Sequence, residues 1–166
     1  MDLQTSIDEK SSELASAEDV LPLCELAKAF EEAGEFDSAV ETLHPFWNGP
    51  ISRPYVSGLE DRVRGELLLR AGTLTGWLGS AKQISGAQEA AKDLITESAT
   101  IFESLGIAEK FAEAQIDLSI CYWREGGLDE ARVTLRLVLD DLQETQSDQR
   151  LRAIINSALV EWTATR

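Results

Sequence analysis

The chain has 166 residues, enough for one domain that buries a core without help from disulfides or metal ions. Its formal net charge of −15 argues against the cationic surface that nucleic acids and anionic membranes require, so we expect neither partner. A charged partner is expected to be basic. Abundant Ala, Leu and Glu with few aromatic residues favour helices over strands.

Residues 1–17 form an acidic segment that we expect to be partly helical, without the basic and hydrophobic regions of a signal peptide. Residues 1–50 contain twelve acids against two lysines, which we interpret as a solubilising face. No apolar run is long enough to span a bilayer. Cys24 and Cys121 each lie within an apolar helical pattern, which predicts buried, reduced thiols and a cytoplasmic protein.

From residue 18 to residue 166, apolar residues recur at helical spacing, and no stretch alternates with a period of two for long enough to form a strand. The pattern predicts helix pairs at about 20–48, 59–105 and 108–144, and an unpaired helix at 148–164. The segment NGPISRPYVSG, residues 48–58, is the one predicted loop because its prolines and glycines oppose regular structure. We therefore predict an all-α domain of about seven helices in antiparallel pairs.

The stretch GTLTGWLGSAKQISG, Gly72 to Gly86, superficially resembles a phosphate-binding loop. However, Lys82 follows Gly79 by only three residues, and no strand precedes them, as a Walker loop requires. The small and polar residues of this stretch instead share one helix face: Gly72, Gly76, Gly79, Ser80 and Gln83. Each interior glycine costs ~1 kcal/mol of helix propensity, so we expect dense helix packing here. The alternative is a helix break that lines a ligand pocket.

Two segments of the chain match each other, LCELAKAFEEAGEFDSAVETLHPF and IDLSICYWREGGLDEARVTLRLVL. Each contains a leucine, a small residue and an aromatic residue, then a glycine, an apolar residue and an alanine at the same spacing. The matched positions are Leu26, Ala27, Phe30, Gly34, Phe36 and Ala39 in the first segment, and Leu118, Ser119, Tyr122, Gly126, Leu128 and Ala131 in the second.

This pattern resembles the tetratricopeptide repeat, and the resemblance implies helix–turn–helix units stacked as a right-handed superhelix. A degenerate third unit has Gly86 as its turn glycine, Ala91 as its small residue and Lys82 at the aromatic position. The repeats lie further apart than the usual ~34 residues. Extended units of this kind resemble arrays in bacterial regulatory proteins.

The last predicted helix resembles the first half of a repeat without its partner. Its apolar residues are spread widely around it: Leu151, Ile154, Ile155, Ala158, Leu159 and Trp162. Two explanations are open, a solvating cap or a fragment of a longer array, and we favour the fragment because caps usually have a polar outer face.

Catalysis has no support in the sequence, and we predict a protein without enzymatic activity, metal or cofactor. The only histidine, His44, and two scattered cysteines cannot assemble a zinc site. His44 precedes Pro45 near a helix end, which indicates a surface or capping residue. Carboxylate pairs such as Glu31 and Glu32 are interpreted as solvated faces.

The resemblance to tetratricopeptide arrays implies a concave groove lined by the first helix of each pair. The groove candidates at those positions are Lys28, Glu31, Asp117, Trp123 and Arg124, with Arg70 and Trp77 from the degenerate unit. A tryptophan beside an arginine can anchor a partner, while burial against the adjacent pair is the alternative for both tryptophans.

Our leading interpretation is a protein-interaction scaffold that binds a peptide or helix in this groove, within a larger cytosolic bacterial protein. One alternative is a ligand-sensing domain in which the loop at 48–58 and the glycine stretch enclose a small molecule. Another is self-association, giving a homo-oligomer through the last helix. A closed apolar cavity near Gly76 and Trp77 would favour sensing, and an open groove would favour peptide binding.

Overall fold

The computed structural model of the chain describes residues 17–142 and 147–166, so all but the last residue of the acidic segment at 1–17 lies outside the described residues. Within the described residues there is no strand, and a short 3-10 helix, Ala17–Asp19, leads into seven α-helices, which confirms the all-α prediction. The helices are α1 (Val20–Glu32), α2 (Phe36–Leu43), α3 (Asp61–Ala81), α4 (Ala87–Ser104), α5 (Ala108–Glu125), α6 (Leu128–Leu142) and α7 (Asp148–Ala164).

The predicted helix bounds hold well for α6 and α7 but fail for α2. The first predicted pair extended to about residue 48, whereas its second helix, α2, ends at Leu43. The reason is Pro45, which has no N–H to donate to the carbonyl of Glu41 and constrains the residue before it. The segment from residue 48 to 58 is irregular, as predicted.

The helices are arranged in two layers. Each helix packs on its neighbours in the chain, and in addition α1 contacts α3, α3 contacts α5 and α5 contacts α7. The even-numbered helices α2, α4 and α6 make no such contacts with one another. We call the row α1–α3–α5–α7 the odd layer.

The apolar core follows this arrangement as three successive clusters. The first joins α1, α2 and α3, with Leu94 and Ile101 of α4, around the fully buried Trp47. The second joins α3, α4 and α5 around Phe102, and the third joins α5, α6 and α7 around Leu135. Because each cluster is shared only by helices that are close in sequence, stability is distributed along the array rather than concentrated in one centre.

The two hairpin turns that the repeat predicts to be equivalent have the same geometry. Gly34 and Gly126 adopt left-handed backbone conformations, with φ of +78° and +84°. In both turns the glycine N–H donates to the carbonyl three residues earlier, and the next N–H donates to the carbonyl of the matched aromatic residue, Phe30 or Tyr122. This is the Schellman motif, which favours glycine because an L side chain is strained at positive φ. The predicted equivalence is confirmed.

The register of the third unit differs from the prediction by three residues. Gln83, with φ of +52°, takes the place of the turn glycine, and the N–H of Ile84 donates to the carbonyl of Gly79 at 2.9 Å. Gly79 therefore occupies the aromatic position that we assigned to Lys82, and Gly86 instead precedes α4. The error arose because a left-handed glutamine has no sequence signature.

The glycine stretch packs against α4, as predicted. A Cβ on Gly79 would lie 2.2 Å from the Cβ of Ala87, and one on Gly72 would lie 2.7 Å from Cγ1 of Ile95. Such distances are too short for real atoms, so glycine permits the close approach of α3 and α4. Gln83 lies beyond the end of α3 and does not share this face.

Candidate functional site: a sealed odd layer and an exposed helix face

Charged side chains from every helix of the odd layer join in one set of contacts, which we call the ion-pair network. Its members are Lys28 and Glu31 of α1, Glu66 and Arg70 of α3, Lys110, Glu113 and Asp117 of α5, and Arg152 of α7. Four basic and four acidic groups balance, so the excess negative charge of the chain lies elsewhere.

Arg70 is the centre of the network. Its Nη1 donates to Oε2 of Glu31 at 2.7 Å, and its Nη2 donates to Oε1 of Glu113 at 2.5 Å and lies 3.9 Å from Oδ2 of Asp117. A planar guanidinium suits this role because its donors can reach carboxylates on two sides at once. The arginine on α3 thereby joins α1 to α5.

Three further cations cover the buried carboxylates at the surface. Nζ of Lys28 lies 2.9 Å from Glu113, which bridges α1 and α5 directly, and Nζ of Lys110 lies 2.9 Å from Glu66. Nη2 of Arg152 donates to Oδ1 of Asp117 at 2.7 Å and extends the network to α7. These long side chains place their charged ends over acids that would otherwise be exposed to a groove.

The expectation that the groove candidates are exposed is wrong for three of them. The exposed fractions are 3% for Arg70, 4% for Asp117 and 8% for the Glu31 side chain. The interpretation of Glu31 as part of a solvated face is wrong for the same reason. Every residue of α3 from Gly65 to Gly76 is buried. At the centre of the odd layer, these candidates are therefore engaged in ion pairs within the chain and are not exposed to a partner.

The network shifts its two central carboxylates in opposite directions. Burial opposes ionisation of Glu113, but Arg70, Lys110 and Lys28 outweigh it and lower its pKa to about 2. Burial raises the pKa of Glu31 to about 7, and its one cation, Arg70, offsets this only in part. Burial disfavours the charge of Arg70, yet the surrounding acids raise its pKa above the ordinary value. Arg70 therefore stays charged, and Glu31 is neutralised far more easily than Glu113.

Trp77 and Arg124 lie together, apart from the network. The ring of Trp77 stacks on Phe36 with centroids 5.1 Å apart, and the guanidinium of Arg124 lies 4.1 Å from the Trp77 centroid. Trp77 is 42% exposed, so one part of its indole faces solvent. This arrangement pairs a tryptophan with an arginine, and Phe36 and Arg124 of the same chain cover the rest of the ring.

Trp123 of α5 packs against α7, so the alternative of burial against the adjacent helices applies to it. Its Nε1 donates to Oγ1 of Thr163 at 3.0 Å, and the ring borders a shallow cleft between α5 and α7 that encloses no space for even a water molecule. Small-molecule sites usually measure ~300–1,000 Å³, so this cleft is too small for a typical organic ligand.

The cysteines and the histidine, which could have taken part in chemistry, are placed as predicted. Cys24 and Cys121 are buried and free, and burial raises the pKa of both thiols to about 12, which makes them unreactive. His44 is exposed at the C-terminal end of α2. In residues 17–142 and 147–166, no cluster of His, Cys, Asp and Glu has the arrangement of a metal site.

The outer face of α7 exposes apolar side chains, whereas the centre of the odd layer buries charged ones. One face of this helix packs on α5 and α6 through Ala153 and Val160. The opposite face exposes large apolar side chains, with exposed fractions from 47% to 58% for Leu151, Ile154, Ile155 and Trp162, and Ala158 lies exposed among them. At about 100° per residue these five residues form one stripe along the helix, which we call the α7 stripe.

Polar contacts hold α7 in place on α6. Oγ of Ser147 caps the helix by accepting from the N–H of Arg150 at 3.2 Å, and Nη1 of Arg150 donates to the carbonyl of Leu139. Arg132 of α6 donates through two nitrogens to the carboxylate of Glu161, at 2.7 and 3.2 Å. The α7 stripe therefore lies on a positioned helix.

Comparisons with protein-family models, curated proteins and solved structures found no match for this chain. None of the described helices is both long enough and apolar enough to cross a membrane.

Sequence analysis missed four members of the network, Glu66, Lys110, Glu113 and Arg152. One signal was available, because Glu66 and Arg70 lie one helical turn apart within GELLLRAG, a segment that is otherwise apolar. Charged residues inside such a run are expected to be paired when the helix is covered on all sides. The partners on α5 and α7 had no comparable signal.

Proposed function

We propose that this chain is a non-enzymatic protein-interaction module that binds a helical partner, and that its docking surface is the α7 stripe. The observation that supports this proposal is the exposure of five apolar residues in a single row on a helix whose other face is packed. Apolar patches of this kind mark interaction sites on soluble proteins. A row at helical spacing suits the apolar face of another helix.

The sealed odd layer argues against the concave groove as the docking surface. A peptide above α3 would have to separate the pairs of Arg70 with Glu31 and Glu113, leaving buried charges without partners. Breaking a buried ion pair on one side costs ~3–5 kcal/mol, which is a large fraction of a typical binding energy. The α7 stripe requires no such rearrangement.

The ligand-sensing alternative also has little geometric support. The loop at 48–58 comes just before α3, whereas Gly76 and Gly79 lie in its last turns, so about 22 Å of helix separates Asp61 from Gly76. A Cβ on Gly76 would meet Cys121, Ala91 and Arg124 atoms at 3.3–3.5 Å, so this site is packed. The loop and the glycine stretch therefore cannot enclose one ligand.

A displayed library of amphipathic helical peptides tests the proposed docking surface. Clones selected on the wild-type chain are measured again on three variants: Ile155→Glu in the α7 stripe, Leu137→Glu on α6 and Trp77→Ala in the odd layer. Leu137 is a matched control because it is an apolar residue that is 59% exposed, against 58% for Ile155.

We expect Ile155→Glu to weaken the selected peptides at least ~10-fold, because a charge would be buried in the centre of the contact, and the two other variants to change affinity less than ~3-fold. Peptides that depend on Trp77 but not on Ile155 would instead support the groove. Recovery of no peptide that depends on Ile155 would overturn the proposal.

A further inference from the structure

The arrangement of charges beside the α7 stripe indicates which helix it binds. Viewed along the helix at about 100° per residue, Arg150 and Glu161 lie on the same edge of the stripe, near its two ends. Both side chains border solvent, and Glu161, whose two carboxylate oxygens accept from Arg132, keeps 60% of its side chain exposed. One edge of the stripe therefore begins with a positive charge and ends with a negative one.

Such an edge is complementary to itself when two copies meet antiparallel. A two-fold axis perpendicular to the helices brings the same edge of both copies together with the ends reversed, as in any isologous contact. Arg150 of one copy then lies beside Glu161 of the other, and the reverse pair forms across the axis. The two-fold symmetry therefore gives the dimer two equivalent ion pairs between Arg150 and Glu161.

The apolar residues fit the same arrangement. With the axis at the level of residues 156–157, Leu151 faces Trp162 of the other copy, and Ile155 faces Ala158. A small residue opposite a large one near the axis permits the helices to approach closely. At the C-terminal end, the guanidinium of Arg166 lies 3.9 Å from the Trp162 centroid, near the position where Asp148 of the other copy would lie.

The charge of the whole chain also favours contact at this helix. Residues 147–166 contain three arginines against Asp148 and Glu161, a net charge of +1, whereas residues 17–50 contain eight acids against Lys28, a net charge of −7. Since α7 makes no contact with α1 or α2, two copies that meet through α7 do not bring these acids together. Contacts through any more acidic part of the chain would add repulsion.

We infer that the α7 stripe binds a second copy of this chain, forming an antiparallel two-fold dimer with α7 against α7. The inference rests on the proposed function, since it assigns the partner of the same surface. Roughly 500 Å² of apolar surface per copy gives an interface of about 1,000 Å², the lower limit for specific association. The dimer is therefore of moderate affinity, with a dissociation constant in the micromolar range.

Sedimentation velocity of the 166-residue chain, from about 2 to about 200 µM, tests this dimer. We expect the wild-type mass to rise from that of the monomer, 18.3 kDa, towards twice that value. Ile155→Glu is expected to remain monomeric, because Ile155 lies near the axis and the charge enters the contact twice. Leu137→Glu, the equally exposed control on α6, is expected to dimerise like the wild type.

A charge exchange tests the antiparallel orientation. Arg150→Glu and Glu161→Arg each place like charges opposite each other, so each variant alone is expected to dimerise at least ~10-fold more weakly. An equimolar mixture of the two is expected to recover association, because both interchain pairs are again opposite in sign. Circular dichroism on each variant verifies that α7 remains folded after the loss of its contacts with Arg132 or Leu139.

Two results would overturn the inference: a wild-type chain that sediments as a monomer throughout, or a dimer that Leu137→Glu disrupts and Ile155→Glu does not. Failure of the mixture to recover association would overturn the antiparallel orientation. If the chain is monomeric but selected helical peptides still require Ile155, the second copy is wrong and the docking surface stands. If peptide binding also ignores Ile155, both proposals fail.

Discussion

Around α3, in the centre of the array, charged side chains are buried, whereas on α7 large apolar side chains are exposed. Both helices belong to the odd layer and both follow a helical apolar pattern. They differ in how many of their faces are covered: within the part of the chain that the structure describes, α3 packs on α1, α2, α4 and α5, and α7 packs on α5 and α6 alone. The charged side chains on α3 meet partners on other helices, whereas the α7 stripe keeps its large apolar side chains exposed.

This difference shows how to distinguish structural from interaction residues in a helical array. A charged residue in a covered position has to be paired, so Arg70 and its partners serve the fold. An apolar row that stays exposed on the folded chain gains further burial only from another molecule. The charged residues of the ion-pair network therefore hold the centre of the array together, and the apolar residues of the α7 stripe provide the proposed docking surface.

The largest test of this comparison is Arg70→Met. The substitution leaves Glu31, Glu113 and Asp117 buried without their shared cation, and we expect it to lower the free energy of unfolding by about 3–5 kcal/mol in urea titrations at low protein concentration. The exposed Arg62→Met is the control and should change it by less than about 0.5 kcal/mol. A loss below about 1 kcal/mol for Arg70→Met would show that the network does not support the centre.

The glycines of α3 give the next largest effect. Gly79→Ala places a Cβ against Ala87 on the neighbouring backbone, so we expect a loss of about 1–3 kcal/mol despite the better helix propensity of alanine. Gly76→Ala meets the movable end of Arg124 at 3.3 Å and should stay within about 1 kcal/mol of the wild type. Equal effects in thermal denaturation would contradict the packing of α3 against α4.

The dependence of stability on pH tests the opposite shifts of Glu113 and Glu31. The pKa of Glu113 is about 2 in the folded protein and 4.5 without its partners, so the stability it contributes is present at neutral pH and is lost as the pH falls from about 4.5 to 2. Glu113→Gln should therefore be less stable than the wild type at pH 7 and show a weaker decline in acid.

The pKa shift of Glu31 makes stability depend on pH in the opposite direction. Its pKa of about 7 lies above the ordinary 4.5, so the folded protein retains this proton and loses stability as the pH rises from 4.5 to 7. Glu31→Gln should flatten that part of the profile, with Glu32→Gln, which is exposed, as the control. The same slope in all three proteins would show that Glu31 ionises normally.

The smallest expected change in stability comes from a comparison of two tryptophan substitutions. Trp77→Ala removes the stacking on Phe36 and the contact with Arg124, and we expect it to cost about 1–2 kcal/mol. Trp162→Ala on the α7 stripe should leave the stability of the monomer within about 0.5 kcal/mol but weaken the dimer. If Trp162→Ala destabilises the dilute protein more than Trp77→Ala, the stripe is part of the fold and not a free surface.

Much of this architecture was predictable from local patterns. The apolar spacing located all seven α-helices of the described residues, because each element encodes its own period. The matched positions of Gly34 and Gly126 predicted equivalent turns, since a left-handed residue after a helix favours glycine. The wide apolar distribution of the last helix likewise indicated an unpaired face. Membership of the tetratricopeptide family and a right-handed superhelix stay predictions.

What the sequence alone determined about this protein is its set of helices and turns, because periodicity, glycine and proline act over a few residues. Only the tertiary structure decided which charges are buried: Glu31, Arg70 and Glu113 come together from positions as much as 82 residues apart, and no local pattern specifies that meeting. It also decided that Gly79, not Gly86, lies where α4 crosses α3. Burial depends on neighbours that are distant in the chain, and this is why Glu31, Arg70 and Asp117 were predicted to be exposed and are buried.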